Sequence, residues 1–318
     1  MAVPVPTRVR VPAAVPVALL LVLVALLAGC DRDEPPPPGR GDIVVGAGPR
    51  LESQVVARMY ELALEKAGYR VSGQFDVQTR AAYVPALQRG ELDVVPEYLS
   101  GLTGYLDAAA HGTAAARQRP VASGDVDDTL RALRGLLAGR PLAVGPPSKA
   151  TDQVAYAVTK ELADREQLAS MTDLARLNGQ LVLGGPADCA TVRFCLPGLQ
   201  AVYGLRFKEV TALGEVSSRP VFAALQDGRV DVGTVRSSAG GVAAASLVVL
   251  RDDRRLQQAE NILPLYRDTV PPDARAVVET VNKALTTEKL QELNKRLELD
   301  GQDPGGLARR FLQDARLL

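Results

Sequence analysis

The residue types that most often carry out catalysis are scarce in this chain. Its one histidine, His111, lies in an alanine-rich stretch that is predicted to be irregular. General acid–base catalysis near neutral pH usually employs histidine, and the sequence contains neither a Gly-x-Ser-x-Gly nucleophile motif nor a Walker loop. Residues 46–48 (Gly-Ala-Gly) resemble a dinucleotide-binding turn, but Leu51 stands where the third glycine is needed. The sequence predicts a protein that is not an enzyme and has no cofactor.

Two of the three cysteines, Cys189 and Cys195, lie six residues apart. In an exported protein such an isolated pair is expected to form a small disulfide loop. The alternative is a pair of free, buried thiols. Because neither cysteine has a nearby histidine or a further cysteine to complete a tetrahedral set of ligands, the sequence predicts no metal site.

The third cysteine, Cys30, follows an apolar run from Val11 to Ala28 that ends in Leu-Ala-Gly and is preceded by two arginines. A basic N-terminal region, a short apolar run and small residues before the cleavage site are typical of a secretory signal. A cysteine directly after Leu-Ala-Gly resembles the bacterial lipobox. We therefore expect residues 1–29 to be a lipoprotein signal peptide and Cys30 to be the lipidated first residue of the mature chain. The alternative is a membrane-spanning anchor, for which about 18 residues interrupted by two prolines are marginal.

The composition indicates a tether, the number of domains and the class of partner. Residues 30–41 contain four consecutive prolines and are predicted to be a stiff tether. About 275 residues remain beyond the tether, which fits two domains of ordinary size. The chain has 37 basic and 37 acidic residues, so no basic face is indicated and we expect no nucleic-acid partner.

A short internal repeat indicates a duplicated architecture. Residues 86–94 (Ala-Leu-Gln-Arg-Gly-Glu-Leu-Asp-Val) recur as residues 224–232 with six of nine positions identical. Each copy is typical of a helix end, a glycine that takes the left-handed conformation, and a strand covered on both faces. The repeat therefore predicts two lobes of similar architecture. The alternative is a chance similarity between two common α/β turns.

Strands and helices alternate along both predicted lobes, as they do in parallel α/β sheets. Strands are predicted at residues 42–46, 69–75, 92–96, 142–145, 181–183, 207–210, 247–250 and 262–266. Asp152 is predicted to begin a helix, and residues 107–124 are predicted to be irregular. Thr79 and Ser218, with Ser217 as an alternative, are expected to begin helices at the C-terminal ends of strands. Ligands of open α/β sheets bind at that edge, where helix N-termini favour a carboxylate.

We therefore predict an α/β protein of two lobes joined by two crossover segments, near residues 143–146 and 234–238. The first lobe is expected to contain residues 42–144 and 237–318, and the second lobe residues 145–236. Asp93 and Asp231, which precede the two repeated strands, are expected to bind the backbone at the strand start.

Several stretches, in order, resemble the extracytoplasmic solute-binding lipoproteins of osmoprotectant ABC transporters, which bind glycine betaine, choline and related quaternary ammonium compounds. They are residues 86–98, 156–163, 189–207, 250–253 and 285–302. The resemblance implies a two-lobed periplasmic-binding-protein fold of the type II kind, with a ligand cleft that closes by a hinge. It also implies a monomer that delivers its solute to an ABC permease, outside the cell membrane and held to it only by the lipid.

The same resemblance suggests which residues contact the solute. Tyr98 occupies the tyrosine position of a family motif, and its ring is expected to attract a quaternary ammonium by about 0.5–2 kcal/mol. Arg193 aligns with an arginine that holds a carboxylate in some relatives, and Arg50 stands about where relatives use a lysine. Arg236 follows the strand of the second repeat. Thr79 and Ser218 are further candidate contacts, whereas Tyr83 and Tyr203 are expected to pack in the core.

The sequence also departs from the family pattern. The family usually has Glu-Tyr-Thr-Gly-Thr where residues 97–101 are Glu-Tyr-Leu-Ser-Gly, and Val154 stands where relatives have a tyrosine. Aromatic residues make up only 4% of the chain and tryptophan is absent, so a full aromatic cage is hard to assemble. We therefore expect an osmoprotectant-like solute, either of the quaternary ammonium or betaine class or a variant more polar or more anionic than glycine betaine. The alternative is a lipoprotein on the same fold that has lost solute binding and serves as an interaction or sensory partner.

Overall fold

The computed structural model describes Ala2, residues 40–75 and residues 79–318. The predicted signal peptide, the lipidation site Cys30 and nearly all of the tether lie outside the described residues. None of the described helices is long and apolar enough to cross a membrane.

The first of two sheets has its five strands in the order β2-β1-β3-β10-β4. They are β1 (Asp42–Gly46), β2 (Arg70–Gln74), β3 (Val94–Tyr98), β4 (Leu142–Val144) and β10 (Ile262–Arg267). β1 runs parallel to β2 and β3, and β10 runs antiparallel to β3 and β4. Every residue of β3 is buried, because consecutive side chains such as Val94 and Val95 enter hydrophobic clusters on opposite faces of the sheet.

The second sheet has the order β7-β6-β8-β5-β9. Its strands are β5 (Val154–Thr159), β6 (Val182–Gly185), β7 (Glu209–Ala212), β8 (Val232–Arg236) and β9 (Leu247–Leu250). The two copies of the sequence repeat end in β3 and β8, the middle strands of the two sheets. Asp93 accepts a hydrogen bond from Val44 N at 2.8 Å, and Asp231 accepts one from Val182 N at 2.8 Å. The repeat thus has the same structural role in both lobes.

Helices cover both sheets. Those of the first lobe are α1 (Leu51–Lys66), α2 (Arg80–Arg89), α3 (Leu99–His111), α4 (Thr113–Gln118), α5 (Val126–Leu137), α10 (Pro272–Lys283), α11 (Thr287–Glu298) and α12 (Pro304–Asp314). Those of the second lobe are α6 (Lys160–Glu166), a 3-10 helix (Met171–Leu177), α7 (Leu196–Tyr203), α8 (Arg219–Gln226) and α9 (Gly240–Ala244).

Two crossover segments, residues 145–153 and 251–261, connect the sheets and run side by side. Asp152 N donates to Glu260 O at 3.0 Å, and Ile262 N donates to Ala150 O at 3.0 Å. An antiparallel bridge between Thr151 and Asn261 joins the same two segments. Two backbones that hold each other in this way form the hinge of a two-lobed protein, because the hydrophobic clusters of the lobes lie on either side of them.

The second crossover lies later in the chain than the sequence predicts. After β8 the chain does not return to the first sheet near residues 234–238, because β9 pairs antiparallel with β5. The small residues 237–246, which resemble a linker, instead include α9, and α9 packs on α11 of the first lobe. A side chain at Gly240 would lie 2.4 Å from Lys295 N, so this contact requires glycine. The predicted second-lobe range of residues 145–236 therefore omits one strand of its sheet.

Two further elements differ from the sequence prediction. Residues 154–159 form the strand β5, and the helix begins only after Thr159, whose side chain accepts from Leu162 N. The β-branched residues of this segment favour a strand. The alanine-rich stretch is mostly helical, with α3 and α4 interrupted at Gly112, where φ is +88°. Alanine has the highest helix propensity, which explains why this stretch is helical.

Candidate functional site

A cavity of about 630 Å³ at the C-terminal ends of β1 and β3 is lined by three tyrosines of the first lobe. Tyr98 ends β3, Tyr83 lies on α2 and Tyr105 lies on α3. We call it the tyrosine cavity. Thr79 and Arg50 line it as well, so three of the predicted contacts, Thr79, Arg50 and Tyr98, come together here. Tyr83 packs in a hydrophobic cluster, as predicted, and also lines this cavity.

Hydrogen bonds of the phenol groups fix two of these rings. The Tyr98 hydroxyl donates to Glu52 Oε1 at 2.5 Å, and the Tyr83 hydroxyl donates to Glu97 Oε1 at 2.6 Å. Asn294 Nδ2 donates to the other oxygen of Glu52 at 2.5 Å. Burial raises the pKa of Tyr98 well above its usual value, so the phenol remains a donor. The phenol oxygens of Tyr98 and Tyr83 therefore contact carboxylates, and the rings of the two residues form part of the apolar wall of the cavity.

The ring of Tyr98 already carries a cation. The guanidinium carbon of Arg50 lies 5.3 Å from the ring centroid, within the range of a cation–π contact. Arg50 also forms an ion pair with Asp152 on the first crossover segment. The face of Tyr98 therefore accepts positive charge in this protein.

Asp152 binds groups from both lobes through a carboxylate that is only 1% exposed. Besides Arg50, it contacts Arg236 at the end of β8, with 3.5 Å between Nη1 and Oδ2, and accepts from the Ser238 hydroxyl at 2.6 Å. Arg236 Nη1 also donates to the Asp152 carbonyl at 2.9 Å. We call these four residues the Asp152 cluster. Two guanidiniums share one carboxylate, so the cluster has an excess positive charge that can attract an anion.

Glu52 lies beside this cluster. Burial and then the charge of Asp152 raise the pKa of Glu52, although its hydrogen bonds to Tyr98 and Asn294 oppose the shift. Glu52 and Asp152 therefore lie close enough for each carboxylate to disfavour the charge of the other.

A larger cavity, of about 920 Å³, extends from the cluster between α11 and the start of α8, and Arg50 and Arg236 line it. Ser217 lines it too, whereas Ser218 does not, because the Ser218 hydroxyl donates to Leu213 O at 3.1 Å. Ser217 has φ of +61°, and its oxygen accepts from Arg236 N at 2.7 Å. Of these two serines, Ser217 therefore lines the cavity and the predicted residue Ser218 does not.

The second lobe contributes a cavity of about 240 Å³, which we call the second-lobe cavity. Tyr156 on β5 and Phe194 supply its aromatic wall, and Arg236 lies at one end. The Tyr156 hydroxyl and Gln257 Nε2 both donate to Phe194 O, at 3.0 and 2.7 Å. The hydroxyl of Thr234, which also lines the cavity, is buried and has no hydrogen-bond partner among the described residues.

Phe194 belongs to a loop closed by the Cys189–Cys195 disulfide, which confirms the predicted pairing. Arg193, in the same loop, lies outside the tyrosine and second-lobe cavities. It lines a separate cavity of about 740 Å³ that faces α3 and α4 of the first lobe, and its guanidinium lies 5.4 Å from the Phe194 ring centroid. The structure therefore does not bring Arg193 together with Arg50, Arg236 and Tyr98.

The cleft holds more aromatic side chains than the composition suggests. Six of the thirteen aromatic residues line these cavities: Tyr83, Tyr98, Tyr105, Tyr156, Phe194 and Phe222. Val154, which stands where relatives have a tyrosine, also lines the second-lobe cavity. In residues 40–75 and 79–318, no group of three or more His, Cys, Asp or Glu side chains is arranged to hold a metal ion.

We expect Asp152→Asn to destabilise the protein by about 2 kcal/mol, because the variant leaves two guanidiniums without a counter-ion while both stay partly hydrated. Urea unfolding at neutral pH measures the change. Asp128→Asn is the control, since the Arg131–Asp128 pair is 75% and 63% exposed and is worth no more than about 1 kcal/mol. Equal destabilisation in the two variants would contradict a special role for Asp152.

Comparison with known proteins places the chain in a family. The model of the substrate binding domain of the ABC-type glycine betaine transport system matches residues 41–314. The glycine betaine-binding protein YehZ of Escherichia coli (strain K12) is 24% identical over 282 residues, which cover 85% of this chain and 90% of that protein. A glycine-betaine-binding protein of Pseudomonas aeruginosa is 25% identical over 287 residues, covering 86% of this chain and 88% of that protein.

Solved structures show the same two-lobed fold. Apo YehZ matches with a TM-score of 0.77 at 20% identity, covering 87% of this chain and 99% of that chain. The structure of a glycine betaine/carnitine/choline ABC transporter matches with a TM-score of 0.74 at 21% identity, covering 87% of this chain and 98% of that chain. The fold is therefore that of periplasmic binding proteins, as predicted. The chain belongs to the family of substrate-binding domains of ABC-type glycine betaine transport systems.

Proposed function

We propose that this protein captures a small quaternary ammonium solute of the betaine or choline class between its lobes and delivers it to an ABC permease. One observation carries the proposal: the Arg50 guanidinium rests on the Tyr98 ring in a cavity that Tyr83 and Tyr105 also line. A trimethylammonium group cannot donate hydrogen bonds, so aromatic faces are its natural partners. In the liganded protein the trimethylammonium group takes the position over the Tyr98 ring that the Arg50 guanidinium occupies here.

The second lobe supplies the other half of the site. Tyr156 and Phe194 add aromatic surface opposite the tyrosine cavity, and the excess positive charge of the Asp152 cluster suits the carboxylate of a betaine. Arg236 exposes 38% of its side chain and is our choice for that contact. The sequence-based expectation of a more polar solute rested on the low aromatic content, whereas the aromatic residues are concentrated in the cleft.

Lobe closure around the solute is supported by the distribution of exposed apolar side chains. Among the described residues, the exposed large hydrophobic side chains are Leu51, Val121, Val192 and Leu299. Leu51 and Leu299 line the 920 Å³ cavity, and Val121 and Val192 lie on opposite lobes around the 740 Å³ cavity. Closure would remove this apolar surface from water, which favours the closed form.

The position of the sheets supports a revised division of the chain. The first lobe then contains residues 42–144 and 262–318, the second lobe residues 154–250, and the crossover segments lie between them. We further propose that the protein is a monomer, held by a lipid on Cys30 to the outer face of the cell membrane, with residues 30–41 as its tether.

Calorimetric titration with glycine betaine, choline and carnitine tests the proposed ligand class. We expect Tyr98→Ala to weaken binding about tenfold, which corresponds to about 1.4 kcal/mol of lost cation–π contact. Tyr98→Phe is the matched control, because it keeps the ring and removes only the hydrogen bond to Glu52, and it should keep most of the affinity.

Equal losses in the two variants would contradict cation recognition by the ring. If the unmodified protein binds none of these solutes, a panel of polar and anionic solutes distinguishes the remaining possibilities. Binding of one of them would support the more polar ligand expected from the sequence. Binding of none would support the alternative, a lipoprotein that has lost its solute.

Cys30→Ser tests the proposed anchor in cells. The variant has no thiol for the lipid, so we expect it to leave the membrane fraction and to lose labelling by a radioactive fatty acid. Cys189→Ser is the control, because that cysteine belongs to the disulfide loop, and the labelling should persist. Retention of the Cys30→Ser variant in the membrane fraction would favour a membrane-spanning anchor instead.

A further inference from the structure

Glu260, on the second crossover segment, lies where the tyrosine and second-lobe cavities meet. Its Oε2 accepts a hydrogen bond from Gly101 N, at the start of α3, with a distance of 3.1 Å. Gly101 lines the tyrosine cavity, and Glu260 lines the second-lobe cavity with Tyr156 and Phe194. The carboxylate is therefore near the aromatic side chains of both lobes.

This carboxylate differs from its three acidic neighbours in the cleft. Glu52, Glu97 and Asp152 each use both carboxylate oxygens in hydrogen bonds or ion pairs with other side chains or backbone. In the described part of the chain, Glu260 has a hydrogen bond at Oε2 only, and no cationic side chain lies within ion-pair distance of it. A partly buried acid without a counter-ion is costly unless it stays protonated or gains a cation.

We propose that the Glu260 carboxylate is the counter-ion of the quaternary ammonium group of the solute. The inference rests on the proposed function and specifies the residue that recognises the charge. The aromatic rings exclude water from the ammonium group. Glu260 supplies a full negative charge, which aromatic rings do not carry.

The charges around Glu260 agree with such a role. Burial raises the pKa of Glu260 to about 7, whereas the Gly101 N–H, Arg80 on α2 and Arg236 on β8 oppose the shift and Asp152 adds to it. Arg80 and Arg236 form ion pairs with Glu97 and Asp152, and neither of them lies within ion-pair distance of Glu260. An incoming cation would lower the pKa of Glu260 toward that of an ordinary carboxyl group.

The sign of the pH effect follows from this shift. Below the pKa of the complex, Glu260 is protonated with or without solute and affinity is low. Between the pKa of the complex and about 7, affinity rises with pH by at most about tenfold per pH unit, and up to about one proton is released on binding. Above the pKa of the free protein the affinity is constant.

Titration calorimetry with choline, from pH 5.5 to 8, in buffers of different ionisation enthalpy measures both affinity and proton release. Choline is the first probe because it has no carboxylate of its own. For the unmodified protein we expect affinity to rise severalfold across this range, with proton release near neutral pH. Glu260→Gln should bind choline about tenfold more weakly at pH 8, with no pH dependence and no proton release.

Two controls separate this role from a structural one. Glu279→Gln alters a partly buried carboxylate on α10, outside the cavities described above, and should keep the pH profile of the unmodified protein. Thermal unfolding at pH 8 checks folding, and Glu260→Gln should be at least as stable as the unmodified protein, because the variant removes a buried charge.

An unmodified protein that binds choline without pH dependence would overturn the inference, as would a Glu260→Gln variant that keeps the pH profile and the proton release. The proposed function would survive either result. An unmodified protein that binds neither choline nor glycine betaine at any pH would overturn the proposed function, and with it the role of Glu260.

Discussion

One buried carboxylate links the two halves of this protein. Asp152 lies on a crossover segment and binds a guanidinium from the start of α1 in the first lobe and another from the end of β8 in the second. A buried charge needs partners, and here these partners come from different lobes. The position of Arg50 over Tyr98, the raised pKa of Glu52 and the approach of Arg236 to Arg50 all depend on this arrangement.

The backbone around Asp152 explains how the site combines fixed and movable parts. The two crossover segments hold each other by hydrogen bonds, so the groups they carry, Asp152 and Glu260, keep their relative positions. The aromatic rings belong instead to the sheets and helices of the lobes. Movement of one lobe against the other therefore changes the distance between the rings of the two lobes while the two acidic residues remain at the pivot.

Local sequence patterns were sufficient for most elements of the fold. The strands predicted at residues 42–46 and 247–250 have the observed bounds of β1 and β9, and the repeat identified the middle strand of each sheet. The pairing of β9 with β5 was not predictable. The small residues before β9 resemble a linker, and only the contact with α11 makes them part of the second lobe.

The candidate site could also be predicted only in part. Arg50 and Tyr98 were identified through the family resemblance, and Arg236 through its place after the repeated strand. Tyr83, Tyr105 and Glu260 reach the cleft through packing between distant segments, which the spacing of residues in the sequence does not predict.

The close contact at Gly240 affects how a solute reaches the cleft. Because α9 of the second lobe rests directly on the backbone of α11 in the first, the lobes are joined along the edge that carries the C-terminal helices. On the side of the disulfide loop, a cavity of about 740 Å³ separates the loop from α3 and α4, so the two lobes are less closely packed there. A solute that enters on that side passes the loop that contains Phe194.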